Sequence, residues 1–191
     1  MTEAPDPPAW DSLQEELASR GTTVIRGHLD LGLATQAAAR LMEHDAVSDA
    51  AARVRLYTSS GEFGAALTVM DTIAALGVPT EVTAVGAVQG PGLGVLAVAG
   101  HRVATPNCLL AFAAPRLQME GPVEVLARFL EAELRDQQRW LEQVAKATGR
   151  PFELVEADLG SALALPPEAA LRYRLIDEVV GSPGSSAGSV K

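Results

Sequence analysis

RVRLYTSSGEFGAALTVMDTIAALGVPTEVTAV, residues 53–85, changes hydrophobic period twice within one run. From Arg53 to Thr58, Val54, Leu56 and Thr58 alternate against Arg55 and Tyr57, which is the period of a strand with one buried face. Ser59, Ser60 and Gly61 read as a turn, with the two serines as turn residues and a helix N-cap. Phe63 to Leu76 then carries apolar residues at helical spacing and closes on Gly77 and Pro79, the stop order expected of a helix. Glu81 to Val85 is β-branched again and reads as the next strand. Strand, helix and strand in one short stretch predict parallel neighbours joined by a right-handed crossover.

Working outward, the same alternation recurs. Thr22 to Arg26 reads as a strand and Leu33 to Met42 as an Ala-rich helix, with Ala46 to Ala52 as linker or helix end. Downstream, Gly86 to Gly94 reads as a glycine-rich turn and Val95 to Ala99 as a buried helix. Arg102 to Ala104 and Leu109 to Ala113 follow as short strands. Pro122 to Thr148 is the longest regular stretch: Val123, Leu126, Leu130, Leu134, Leu141 and Val144 recur at helical spacing, Phe129 and Trp140 widen the stripe, and Gly149 with Pro151 ends it. Phe152 to Asp158 and Pro167 to Tyr173 are short helices, and Leu175 to Val180 is a last strand. The fold class is therefore α/β with a mostly parallel sheet. The organisation is one domain over residues 10–180, with the Pro-rich residues 1–9 and the Gly/Ser-rich residues 181–191 expected to be disordered.

Composition narrows the function classes. The chain has 191 residues, a formal net charge of −9 and no basic stripe, so nucleic acid and anionic membrane surfaces are not expected partners. Hydrophobic residues make up 48% and aromatics 4%, so Ala, Val, Leu and Gly build the interior. Cys108 is the single cysteine, which fits a reducing, cytoplasmic setting. Residues 1–8 lack the basic and apolar regions of a signal peptide. No His/Cys/Asp/Glu cluster has metal-ligand spacing, and Gly90, Gly92 and Gly94 match neither a P-loop nor a dinucleotide fingerprint. Neither metal nor cofactor is expected. The glycines read as a close strand–helix approach.

Several blocks, in order, resemble the proteolytic subunit of the Clp protease, within the wider Clp/crotonase superfamily. Thr23 to Asp30 is similar to the family's opening strand and turn. Leu56 to Gly61 resembles its strand ending in Asn-Ser-Pro-Gly-Gly, and Val69-Met70-Asp71-Thr72-Ile73 resembles Ile-Tyr-Asp-Thr-Met. Arg102 to Cys108 resembles Arg-Phe-Ala-Leu-Pro-Asn-Ser. Thr148-Gly149 resembles the end of the long handle helix, and Leu175 to Val180 resembles Gly-Leu-Ile-Asp-Glu-Val. Ala87 to Gly94 also resembles the Asn-Gly-Pro-Ala-Leu-Gly loop of the crotonase branch. The resemblance implies a ββα superhelix with a long handle-type helix.

Peptide hydrolysis needs a nucleophile, a base, an orienting carboxylate and donors for the oxyanion. The resemblance puts the family serine at Gly90, or at Pro91 if a length difference falls earlier. It puts the histidine at Ala113 and the aspartate at Asp158. His28, His44 and His101 fall in other segments and read as solvated surface residues. Gly61 and Pro91 are remnants of the oxyanion loop: Gly61 can aim an N–H into the site, Pro91 has none to give, and Glu62 brings a charge of the wrong sign. The family arginine used between rings is replaced near Ser161. The expectation is a Clp-type pseudo-peptidase with no catalytic residues, structural or regulatory in a ring-shaped assembly. It would be a homo-oligomer or a hetero-oligomer with active Clp-type subunits, and an ATP-dependent unfoldase is a candidate partner. Two alternatives stay open: a crotonase-type acyl-CoA enzyme using Glu62 or Glu120 with donors near Gly61 and Gly90 to Gly92, and a stand-alone ring-forming binding protein.

Overall fold

β2 (Ala52–Gly61) and β3 (Thr80–Gln89) lie parallel in the centre of a sheet, with α3 (Phe63–Ala75) as their crossover. This is the arrangement that residues 53–85 predict. The computed structural model describes residues 9–116 and 120–181; the expected disorder of residues 1–8 and 182–191 lies outside them, while Ala9 opens a helix and Gly181 closes a turn. Around the central pair run α1 (Ala9–Ser19), β1 (Thr22–Leu29) and α2 (Leu31–Val47) on one side of the sequence. On the other run α4 (Gly92–Ala97), β4 (His101–Ala104), β5 (Leu109–Ala111), α5 (Val123–Thr148), α6 (Phe152–Gly160), β6 (Ala164–Leu165), α7 (Pro167–Tyr173) and β7 (Glu178–Val179). The path of the sheet is β1-β2-β3-β4-β7, all parallel, with β5 continuing beside β3 and β6 pairing antiparallel to β5.

Three expectations need correction. Ser59 to Gly61 is strand and not turn: His28 pairs with Ser60 and Leu29 with Gly61. Tertiary pairing overrides the local turn chemistry here, and the glycine permits it, since a Cβ at Gly61 would lie 2.8 Å from the Leu29 Cβ. Likewise β3 runs through Gly86 to Gln89; Gly86 takes φ +66 at an irregularity in the β2–β3 register, where a Cβ would meet the Tyr57 ring at 2.6 Å. The last expected strand, Leu175 to Val180, shrinks to Glu178–Val179.

The core lies between the sheet and α3, α4 and α5. Trp140, Phe63 and Phe112 are fully buried or nearly so, with Trp140 centred 5.3 Å from Phe63 and 6.3 Å from Phe112. Trp140 also donates from Nε1 to the Pro91 carbonyl at 3.0 Å, tying α5 to the loop that starts α4. Gly94 makes room for it: a Cβ there would stand 2.6 Å from Trp140 Cδ1 and 2.7 Å from Met70 Sδ.

α5 divides into two halves. Trp140, Leu141, Val144, Ala145 and Thr148 are buried. Val123, Val125, Leu130 and Leu134 are exposed, Leu134 at 63%. The apolar stripe is therefore fully buried only in its C-terminal half, with Leu126 and Phe129 half-buried in the other. The N-terminal half leaves Val123, Leu130 and Leu134 exposed along one face. No helix among the described residues is long and apolar enough to cross a membrane.

Candidate functional site

In a parallel sheet, ligands meet the protein beyond the carboxyl ends of the strands. Here the ends of β1, β2, β3 and β5 converge on a cleft of about 470 Å³. β1 contributes His28; the end of β2 contributes Ser59, Ser60 and Gly61, followed by Glu62; the end of β3 contributes Gln89, Gly90 and Pro91; and the segment after β5 contributes Ala113 to Arg116. Of the site residues singled out from sequence, Gly61, Glu62, Gly90, Pro91 and Ala113 meet in this cleft. Asp158 and Glu120 are not among its lining residues.

Gly90 is fixed by its surroundings. Its N–H donates to Ala111 at 2.9 Å, its carbonyl accepts from Leu93 at 3.0 Å, and its φ is +57. A Cβ at this position would lie 2.6 Å from the Ala113 carbonyl oxygen. The left-handed backbone and the close main chain both select glycine. Pro91 follows with no N–H, and its carbonyl is shared between Gly94 and Trp140.

Gly61 keeps a donor. Glu62 N–H bonds the Leu29 carbonyl at 2.9 Å. Successive N–H groups of a strand point to opposite edges, so Gly61 N–H faces away from β1, towards β3 and the cleft. Glu62 precedes α3 as its N-cap residue but makes no side-chain cap bond, so the expected serine cap is absent. Its charge is felt nearby: partial burial, then Asp136, then Glu62 push the Glu133 carboxyl above the usual range.

Asp158 is engaged elsewhere. Tyr173 Oη donates to its Oδ2 at 2.6 Å, and the Arg150 guanidinium lies 3.7 Å over the Tyr173 ring. Burial, and then this carboxylate, push the Tyr173 hydroxyl well above the ordinary phenol range.

The histidines are better partnered than their isolation in sequence suggested. His44 Nε2 bonds the Ala50 carbonyl at 2.9 Å, and His101 lies 3.4 Å from Glu178. His28 is exposed, and its Nδ1 lies 2.9 Å from Ser60 Oγ, inside the cleft. Sequence reasoning missed this pair because the two residues are far apart in the chain. The available signal was Gly27, which takes φ +100 at the β1–β2 register shift and so carries His28 opposite Ser60. Among the described residues no group of three His, Cys, Asp or Glu side chains is placed to hold a metal ion. Cys108 is buried, and burial pushes its thiol up to about 11.

The model of the Clp protease family matches residues 6–183. The chain belongs to the Clp protease family. Among curated relatives, it is 26% identical over 178 residues to the ATP-dependent Clp protease proteolytic subunit-related protein 2, chloroplastic, of Arabidopsis thaliana, across 91% of this chain and 63% of that one. It is also 26% identical to ATP-dependent Clp protease proteolytic subunit 1 of Nocardia farcinica, across 90% of this chain and 86% of that one. The chain thus spans less than two thirds of the length of the Arabidopsis relative. Among solved structures, a ClpP1 mutant from Listeria monocytogenes superposes with a TM-score of 0.74 at 20% identity, over 88% of this chain and 95% of that one. The fold is therefore Clp/crotonase-like, as the resemblance implied.

Proposed function

We propose that this Clp-family chain is a pseudo-peptidase: a subunit with a structural or regulatory role in a ring-shaped Clp-type assembly that does not cut peptides with the family's Ser-His-Asp machinery. The observation that carries this reading is Gly90, at the expected nucleophile position, held at φ +57 against the Ala113 carbonyl. Neither Gly90 nor Ala113 has a side-chain atom that can attack or take a proton. Support comes also from Pro91, which removes a donor where the oxyanion would form, and from Glu62, whose charge opposes it. Asp158, at the expected orienting position, bonds Tyr173 instead.

The assembly half of the proposal rests on α5. An apolar row on a projecting helix favours association with a second such surface. Val123, Leu130 and Leu134, spaced at i, i+7 and i+11, form that row. The partners are copies of this chain or active Clp-type subunits, in the cytoplasm, with an ATP-dependent unfoldase as a further candidate. Native mass spectrometry of the purified chain, alone and mixed with an active Clp-type subunit, tests this. Ring-sized complexes are expected; a monomer under both conditions would refute it.

A further inference from the structure

We propose that Ser60 and His28 form an acyl-transfer dyad, built on β2 and β1 and independent of Gly90 and Ala113, whose substrates are activated esters of small acids. Ser60 Oγ and His28 Nδ1 are 2.9 Å apart, within hydrogen-bond reach for a nucleophile and its base. Both line the cleft of about 470 Å³, and both are exposed to it. The pairing is enforced by backbone: His28 and Ser60 are opposite in the parallel register, locked by the Glu62 N–H bond to Leu29. The donor that such a nucleophile needs follows it in sequence. Gly61 N–H points to the cleft side of β2, and the N–H after a nucleophilic serine is a recognised oxyanion donor.

The chemistry balances within these groups. With Nε2 protonated, Nδ1 accepts the Ser60 proton as Oγ bonds the ester carbonyl carbon. The bond from that carbon to the leaving alkoxide then breaks, and His28 returns the proton to it. Water then gives a proton to the same nitrogen as its oxygen bonds the acyl carbon; the bond from that carbon to Ser60 Oγ breaks, His28 returns the proton to Oγ, and the acid leaves.

Two features set the substrate class. No carboxylate among the described residues forms an ion pair with His28, so nothing orients the imidazole as a triad aspartate does. Removing that aspartate from a triad enzyme costs about 3 × 10⁴ in turnover. Peptide amides, with poor leaving groups, are then out of reach, whereas esters with good leaving groups are not. Arg116 lines the same cleft and places a cation on its wall.

The test is intact-mass spectrometry of the full chain incubated with a fluorophosphonate, with p-nitrophenyl acetate hydrolysis followed in parallel. One adduct is expected, mapping to Ser60 and lost in Ser60→Ala. His28→Ala and His28→Asn should each slow labelling about a hundredfold, the share a general base commonly supplies. The asparagine variant keeps a hydrogen-bond partner for Ser60 but no base, so it separates a base from a mere latch. Both residues are exposed, and unchanged melting curves check that the variants fold. No adduct, an adduct that survives Ser60→Ala, or parental labelling in His28→Asn overturns the proposal. Absence of an adduct leaves the pseudo-peptidase reading standing. Peptide cleavage lost in Ser60→Ala would instead overturn both that reading and the ester substrate class proposed for the dyad.

Discussion

Consider rebuilding the family's nucleophile and base, Gly90→Ser with Ala113→His. Gly90 sits at φ +57, where a side chain costs about 1–2 kcal/mol. The new Cβ would start 2.6 Å from the Ala113 carbonyl oxygen, and relieving such overpacking costs about 1–3 kcal/mol. That oxygen is main chain, so changing residue 113 does not move it. The neighbours are not free to yield: Gly90 N–H is held by Ala111, and the Pro91 carbonyl by Trp140. The sum is about 2–5 kcal/mol, and at about 2–4 °C per kcal/mol for a chain of this size the double variant should melt roughly 4–20 °C below the parent. Catalysis should not return. Pro91 has no N–H where a donor is needed, and one missing oxyanion donor costs about 10²–10³ in turnover. Circular dichroism melts and a fluorogenic peptide assay measure both effects. A variant as stable as the parent that cleaves peptide near the rate of an active subunit would refute the reading of the Gly90-Pro91 loop.

Other outcomes follow from the same geometry. Leu130→Glu with Leu134→Glu should dissociate rings in analytical ultracentrifugation while leaving the melt within about 2 °C of the parent, because both side chains are exposed and surface changes cost little. Gly94→Ala should destabilise by about 3 kcal/mol in urea denaturation, since its Cβ would collide with buried Trp140 and Met70. Glu133 has a raised folded-state pKa, so the stability it contributes is present below the unfolded value and lost as pH rises through the folded one. Glu133→Gln should therefore stabilise the chain at neutral pH and not at acid pH, in paired melts. Asp177 is the opposite case: Arg102 hydrogen-bonds its carboxylate and lowers its pKa, so its contribution is present above the ordinary carboxylate range and lost as pH falls through the folded value. Asp177→Asn should flatten the acid limb of the stability profile.

Most of the architecture was legible because residues 53–85 carry both periods and clear stop signals. The helix from Phe63 to near Leu76 and the start of the strand after Pro79 lie within a residue or so of their expected bounds. The misreadings share one cause. Ser59-Ser60-Gly61 and Gly86 look like turns when local preference is the only guide, but both continue strands, because pairing across the sheet satisfies the backbone and glycine allows the close approach. The division of α5 was equally hidden. Leu134 and Leu141 occupy equivalent places in the apolar stripe, and only the body of the fold determines that one is 63% exposed and the other 1%. In the site, the family resemblance put Gly61, Gly90, Pro91 and Ala113 at neighbouring positions, and the ends of the parallel strands bring the four to one cleft. The His28–Ser60 pair did not, because its register depends on a shift at Gly27 that periodicity does not encode.

The most direct measurement is turnover of a fluorogenic peptide by the purified chain, in a preparation shown to be free of active Clp-type subunits. Release indistinguishable from a Ser60→Ala control and from buffer is expected. Sustained turnover at the rate of an active Clp-type subunit would contradict it.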